Sequence, residues 1–148
     1  MRVAYTGRKP QDVPYRYVRD LAALAGEVDF LVIACPGGPA TKHLIDARIL
    51  DALGAKGTLV NIARGSIVDE QALVDALSRG TLKSAGLDVF ENEPHVPSEL
   101  LAMDNVVLLP HVGSATRETR QAMADLCRAN VDAWFSERRT LTLVPELA

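Results

Sequence analysis

The chain is 148 residues long, 48% apolar and 24% charged, which suits one ordinary domain with a hydrophobic core and argues against disorder. Its formal charge of −3, with Lys and Arg scattered rather than clustered, offers no electrostatic footprint for nucleic acid. No apolar run approaches the ~20 residues needed to span a bilayer, residues 1–10 lack the apolar core and cleavage site of a signal peptide, and Cys35 and Cys127 have no metal-ligand spacing; a cytoplasmic protein with reduced thiols and no bound metal, nucleic acid or membrane is expected.

In chain order, an apolar strand at residues 3–6 is followed by a helical pattern at 17–25. Buried strands at 28–34, 58–62, 84–89 and 106–109 then alternate with helices at 46–53 and 69–77. Asp69 is a candidate N-cap and Gly80 a stop signal. This alternation predicts a parallel α/β sheet of five strands. Ala122, Leu126, Ala129, Ala133 and Trp134 recur at helical spacing, so one long helix is expected from Thr116 to about Arg138. The tail at 141–147 loses that period and contains Pro145, and is expected to reach toward another domain or subunit.

In an open parallel sheet, ligands sit beyond the carboxyl ends of the strands. The residues that follow each strand are Gly7-Arg8-Lys9, Cys35-Pro36-Gly37-Gly38, Ala63-Arg64-Gly65-Ser66, Glu91-Asn92-Glu93-Pro94 and Pro110-His111-Val112-Gly113-Ser114. One edge thus collects guanidinium, carboxylate and imidazole groups. Reduction of a keto acid needs a fixed cation for the substrate carboxylate and a proton donor for the carbonyl oxygen, parts open to Arg64 and His111. A guanidinium binds a carboxylate through two parallel hydrogen bonds. A carboxylate beside an imidazole raises the imidazole pKa and selects its tautomer, a part open to Glu93. Each residue also has a plainer role: Arg64 as a cap on neighbouring carbonyls, His111 as a satisfied turn histidine, Glu93 as a solvated loop residue. Cys127 and Trp134 read as helix packing residues and His43 as a surface residue.

At these segments the chain resembles the D-isomer-specific 2-hydroxyacid dehydrogenases, and within them the glyoxylate/hydroxypyruvate reductase branch. The resemblance is carried by Leu59-Val60-Asn61-Ile62-Ala63-Arg64-Gly65, by Gly86-Leu87-Asp88-Val89-Phe90-Glu91-Asn92-Glu93-Pro94, and by Asn105 with Leu109-Pro110-His111-Val112-Gly113-Ser114-Ala115-Thr116. It implies a Rossmann-type doubly wound fold, with Arg64 binding substrate, His111 transferring the proton and Glu93 paired with it. It also implies contacts to the cofactor from Cys35, Pro36, Ile62, Ala63, Asp88 and Gly113. Relatives that prefer NAD usually carry an acidic residue after the second strand of this fold. Here Arg8 and Lys9 stand there, and an arginine suits a 2′-phosphate, so NADP is the expected cofactor, with NAD as the other option.

Gly-x-Gly-x-x-Gly, the turn that cradles the pyrophosphate, is absent from the sequence. The expected organisation is therefore a dinucleotide-binding domain over residues 1–115 without its first strand–helix unit, followed at 116–148 by a long helix and a tail returning toward a substrate domain. Such a segment is expected to be inactive by itself and to belong to a homodimer of longer chains. The alternatives are an NAD-linked D-lactate or D-3-phosphoglycerate dehydrogenase, and a non-catalytic nucleotide-sensing scaffold.

Overall fold

A two-residue ladder opens the chain in the computed structural model, which describes residues 1–144. Strand β1 (Ala4–Tyr5) runs parallel to β2 (Arg16–Tyr17), apart from the main sheet. This corrects two expectations, that the first strand joins the five-stranded sheet and that a helix begins at Tyr17. The reason is local: the Tyr5 and Tyr17 rings lie 5.4 Å apart, and the Tyr17 hydroxyl donates to the Gly7 carbonyl at 2.9 Å, holding residues 16 and 17 extended. The helix starts only at α1 (Leu21–Ala25), where the Asp20 side chain accepts the Ala22 N–H.

The other four predicted strands form one parallel sheet in the order β3 (Phe30–Ile33), β4 (Thr58–Asn61), β5 (Ser84–Leu87) and β6 (Val106–Leu108). Leu31 pairs with Leu59 and Leu59 with Ala85, while Ile33 pairs with Asn61 and Asn61 with Leu87. All six are buried, as period-two alternation requires of one sheet face. The opposite face presents Phe30, Val32 and Val107 exposed.

Helix α2 (Ala47–Leu53) links β3 to β4, α3 (Glu70–Ser78) links β4 to β5, and the short α4 (Ser98–Leu101) links β5 to β6. Asp46 caps α2 by accepting the Ile49 N–H, and Asp69 caps α3 by accepting that of Ala72. Both helices are followed closely by a glycine in the left-handed region, Gly54 at φ +75° and Gly80 at φ +68°. Their inward stripes, Ile49, Leu50 and Leu53 with Leu73, Val74 and Leu77, complete the core over Leu31, Leu59 and Leu87. Each such side chain contributes about 1.5–3 kcal/mol on burial, and truncating fully buried Leu59 to Ala would cost about 2–5 kcal/mol.

The chain divides into two compact units, Met1–Pro110 and a second that begins at His111. In the second, the Thr116 hydroxyl accepts the Thr119 N–H and starts α5 (Arg117–Glu137), which stops at Arg138 with φ +56°. The expected long helix is therefore present, but Cys127 and Trp134 are exposed on it and Ala133 is its buried residue, so neither serves as the packing residue expected. Beyond α5 the N–H groups of Leu141 and Thr142 both donate to Asn130 Oδ1, holding this part of the tail on its own helix; residues 145–147 of the predicted tail lie outside the described residues. Among the described residues no helix is long and apolar enough to cross a membrane.

Candidate active site

Strand β4 ends in a buried polar residue, Asn61, which sets the shape of the loop after it. Its Oδ1 accepts the Ala63 N–H at 3.1 Å and its Nδ2 donates to the Arg64 carbonyl at 3.0 Å. Both polar ends are thus satisfied inside the core, and the turn is held from below. Sequence reasoning passed over Asn61; the signal was an amide at an inward position of a buried strand. Arg64 emerges exposed from this turn, its Nη1 donating to the Ala63 carbonyl at 2.6 Å.

The loop after β3 closes over the stem of Arg64. A Cβ built on Gly37 would stand 2.7 Å from Arg64 Cγ, so only a glycine fits without movement. The next residue, Gly38, takes φ +148°. Thr41 Oγ1 donates to the Pro36 carbonyl at 2.9 Å and tightens this loop. Together the two loops line a cleft of about 700 Å³ bounded by Cys35, Pro36, Ile62, Ala63 and Arg64. Four of the residues expected to touch a cofactor therefore share one cleft at the carboxyl ends of β3 and β4, beside Arg64. Arg8 and Lys9 lie exposed in the bend after β1 and are not part of that lining.

Behind Arg64, Gly65 meets the loop after β5 backbone to backbone: a Cβ there would be 1.9 Å from the Phe90 carbonyl carbon. In that loop the Phe90 N–H donates to Glu93 Oε1 at 3.0 Å, which fixes an otherwise exposed carboxylate. The Glu91 N–H donates to Glu70 Oε1 at 3.2 Å, and Glu91 Oε1 meets His43 Nε2 at 3.0 Å. Burial raises the Glu70 carboxyl above its ordinary value; the Glu91 N–H opposes the shift and the negative charge of Glu91 adds to it. His43 is thus a half-buried partner of Glu91 rather than the surface residue expected. Asp88 is buried at the end of β5, its N–H donating to the Asn61 carbonyl.

His111 opens the second unit directly after Pro110, exposed and at φ +54°, a region non-glycine residues rarely occupy. Gly113 follows it in an exposed turn. The first unit therefore brings together the loops of Arg64 and Glu93 and the cleft residues, and His111 with Gly113 belongs to the second.

Residues 1–113 match the model of the D-isomer specific 2-hydroxyacid dehydrogenase, NAD binding domain. The chain belongs to this family. A glyoxylate/hydroxypyruvate reductase A of Arabidopsis thaliana is 56% identical over 133 residues, covering 90% of this chain and 42% of that protein. A hydroxyphenylpyruvate reductase of Plectranthus scutellarioides is 52% identical over 143 residues, covering 96% and 46%. Among solved structures, the NADPH-dependent glyoxylate/hydroxypyruvate reductase of Sinorhizobium meliloti in complex with NADP and malonate superposes with a TM-score of 0.95 at 50% identity, over 99% of this chain and 46% of that one. The chain thus spans about half the length of the relatives it matches. Within this dehydrogenase family, the parallel sheet β3–β6 with its helices is the Rossmann-type, NAD-binding part.

Proposed function

We propose that the protein carrying this chain reduces a small 2-keto acid of the glyoxylate or hydroxypyruvate type to the D-2-hydroxy acid, with NADPH as reductant. The observation that carries this reading is the position of Arg64. It stands at the rim of the cleft after β4, its stem under Gly37 and its backbone held by Asn61, with the Glu93 loop packed behind it. A guanidinium fixed in this way suits a carboxylate, which it binds by two parallel hydrogen bonds that also orient the keto group.

The cleft fits a dinucleotide chemically: small and apolar residues, Ala34, Pro36, Gly37, Gly38 and Ile62, leave room for flat rings, and Ser66 with Arg64 adds polar contacts. In this reading Cys35, Pro36, Ile62, Ala63, Asp88 and Gly113 hold the cofactor, and Arg8 and Lys9 receive a 2′-phosphate. The nicotinamide, when bound, supplies the hydride. His111 supplies the proton to the developing alkoxide, and Glu93 orients its imidazole. The φ of +54° at His111 supports a functional part, because side chains are held in that region where surrounding structure requires it. The reading extends to a cytoplasmic homodimer, for which the apolar surface of α5, with Met123, Leu126, Val131 and Phe135 exposed, is a favourable feature.

Steady-state oxidation of NADPH with glyoxylate, hydroxypyruvate and phenylpyruvate tests the assignment. Turnover that disappears in Arg64→Gln through a raised KM for the keto acid is expected. Normal turnover by that variant, or none by the unmodified protein with any 2-keto acid, would contradict it.

A further inference from the structure

His43 takes φ +50°, a conformation that costs a side-chain-bearing residue more than it costs glycine. Two contacts accompany it. The His43 N–H donates to the Ser66 carbonyl at 2.9 Å, and its Nε2 meets Glu91 Oε1 at 3.0 Å. Ser66 lies two residues after Arg64, and Glu91 lies two residues before Glu93. A single residue outside both loops therefore grips the loop after β4 through its backbone and the loop after β5 through its ring.

Between these grips the loops have little freedom. Gly65 lies against the Phe90 and Glu91 backbone, the Glu91 N–H is taken by Glu70, and the Phe90 N–H is taken by Glu93 itself. Contacts thus run without a gap from the His43 ring through Glu91 and Phe90 to the Glu93 carboxylate. The His43–Glu91 pair is partly shielded from water, with side-chain exposures of 38% and 26%, so it is a firmer contact than a fully solvated pair. Among the described residues no group of three or more His, Cys, Asp or Glu side chains could hold a metal ion.

We propose that His43 is a positioning residue that staples the Arg64 loop to the Glu93 loop and so sets the spacing between the guanidinium that binds the keto acid and the carboxylate that orients the proton donor. The proposal rests on the assignment of Arg64 and Glu93 to the active site. Its logic is geometric, because displacement of about 1 Å in a positioned group can cost about 100-fold in rate.

Three substitutions separate the ring contact from the backbone. Glutamine can bring an amide nitrogen to the place of Nε2, asparagine reaches only as far as Nδ1 but tolerates the left-handed backbone better, and alanine offers no donor. Two readouts are taken: hydrogen exchange at the Phe90 and Glu91 amides by NMR in the 148-residue chain, and kcat/KM for glyoxylate in the protein that carries it. His43→Gln is expected to keep amide protection and catalysis within about threefold, while His43→Asn and His43→Ala lose about tenfold or more in each. Amides of β4 and β5 should be unchanged, and KM for NADPH should hold while KM for the keto acid rises. The staple is overturned if Asn performs as well as Gln, if protection falls across the whole sheet, or if the amides loosen without any change in catalysis. Failure of the underlying assignment looks different: Arg64→Gln and Glu93→Gln would then reduce glyoxylate normally. That outcome would remove the catalytic meaning of the staple, whatever the amides do.

Discussion

Gly37 lies against the aliphatic stem of Arg64, with a Cβ added at Gly37 falling 2.7 Å from Cγ and 3.0 Å from Cβ of the arginine. These atoms are near the Arg64 backbone, so the arginine cannot move aside at its tip alone. Gly37→Ala is therefore expected to displace the guanidinium and lower kcat/KM for the keto acid about 10- to 100-fold, chiefly through KM. Kinetics with glyoxylate at saturating NADPH would show it, and an unchanged KM would mean that the loop after β3 yields instead.

Gly65 is held more tightly still, since its added Cβ would fall 1.9 Å from the Phe90 carbonyl carbon and 2.3 Å from the Glu91 nitrogen. Both are backbone atoms, and the N–H groups of Phe90 and Glu91 are held by Glu93 and Glu70. Gly65→Ala should cost at least the about 1–3 kcal/mol typical of overpacking. Urea unfolding of the chain followed by circular dichroism measures this, and a variant of unaltered midpoint would show that the two loops separate easily.

Glu70 links electrostatics to stability. Its carboxyl is raised above the ordinary value by burial, with Glu91 adding to the effect. Because the folded state then binds the proton more tightly than the unfolded state, the associated stability is fully present below the ordinary glutamate value and is lost as pH rises through the raised one. Glu70→Gln keeps an oxygen acceptor for the Glu91 N–H but carries no charge. It should flatten this part of the stability profile, and melting temperatures from pH 4 to 7 compare the two proteins. A variant profile parallel to that of the unmodified chain would exclude Glu70 as the source.

Much of this arrangement was legible from residue order because it depends on local rules. Asp69 caps its helix as its side-chain chemistry suggests, the long helix begins beside Thr116 as its pattern indicates, and four of the five expected strands form the parallel sheet. The loops of Arg64 and Glu93 follow strands, so a parallel sheet brings them to one edge. The parts that escaped depend on partners distant in the chain. His43 reads as a surface residue until Glu91, 48 positions away, is found beside it. Asn61 looks like any strand-end amide until its burial requires both of its polar atoms to be satisfied. Strand β1 was misplaced because two residues held by a pair of tyrosines carry too little pattern to say which strand they join.

In the proposed reading, cofactor choice depends on the exposed bend after β1, where Arg8 would take the place of the acidic residue that suits an unphosphorylated ribose. Arg8→Asp should invert the preference, lowering kcat/KM with NADPH and raising it with NADH, each by about tenfold. The ratio of the two specificity constants is the quantity to compare. If it does not move, Arg8 is a solvated turn residue and the 2′-phosphate is bound elsewhere.

The proposed chemistry stands most directly on the proton donor. His111 follows the strand beside the one that carries the Glu93 loop, and it is held at a backbone angle that side chains rarely adopt. His111→Gln keeps size and polarity but cannot donate a proton as an acid. The decisive measurement is the rate of glyoxylate reduction by this variant in the protein that carries the chain, with its melting temperature taken alongside. The prediction is a fall in kcat of about 10²- to 10⁴-fold with little change in melting temperature. Near-normal kcat, or a loss that follows the melting temperature, would contradict the assignment and leave His111 as a turn residue.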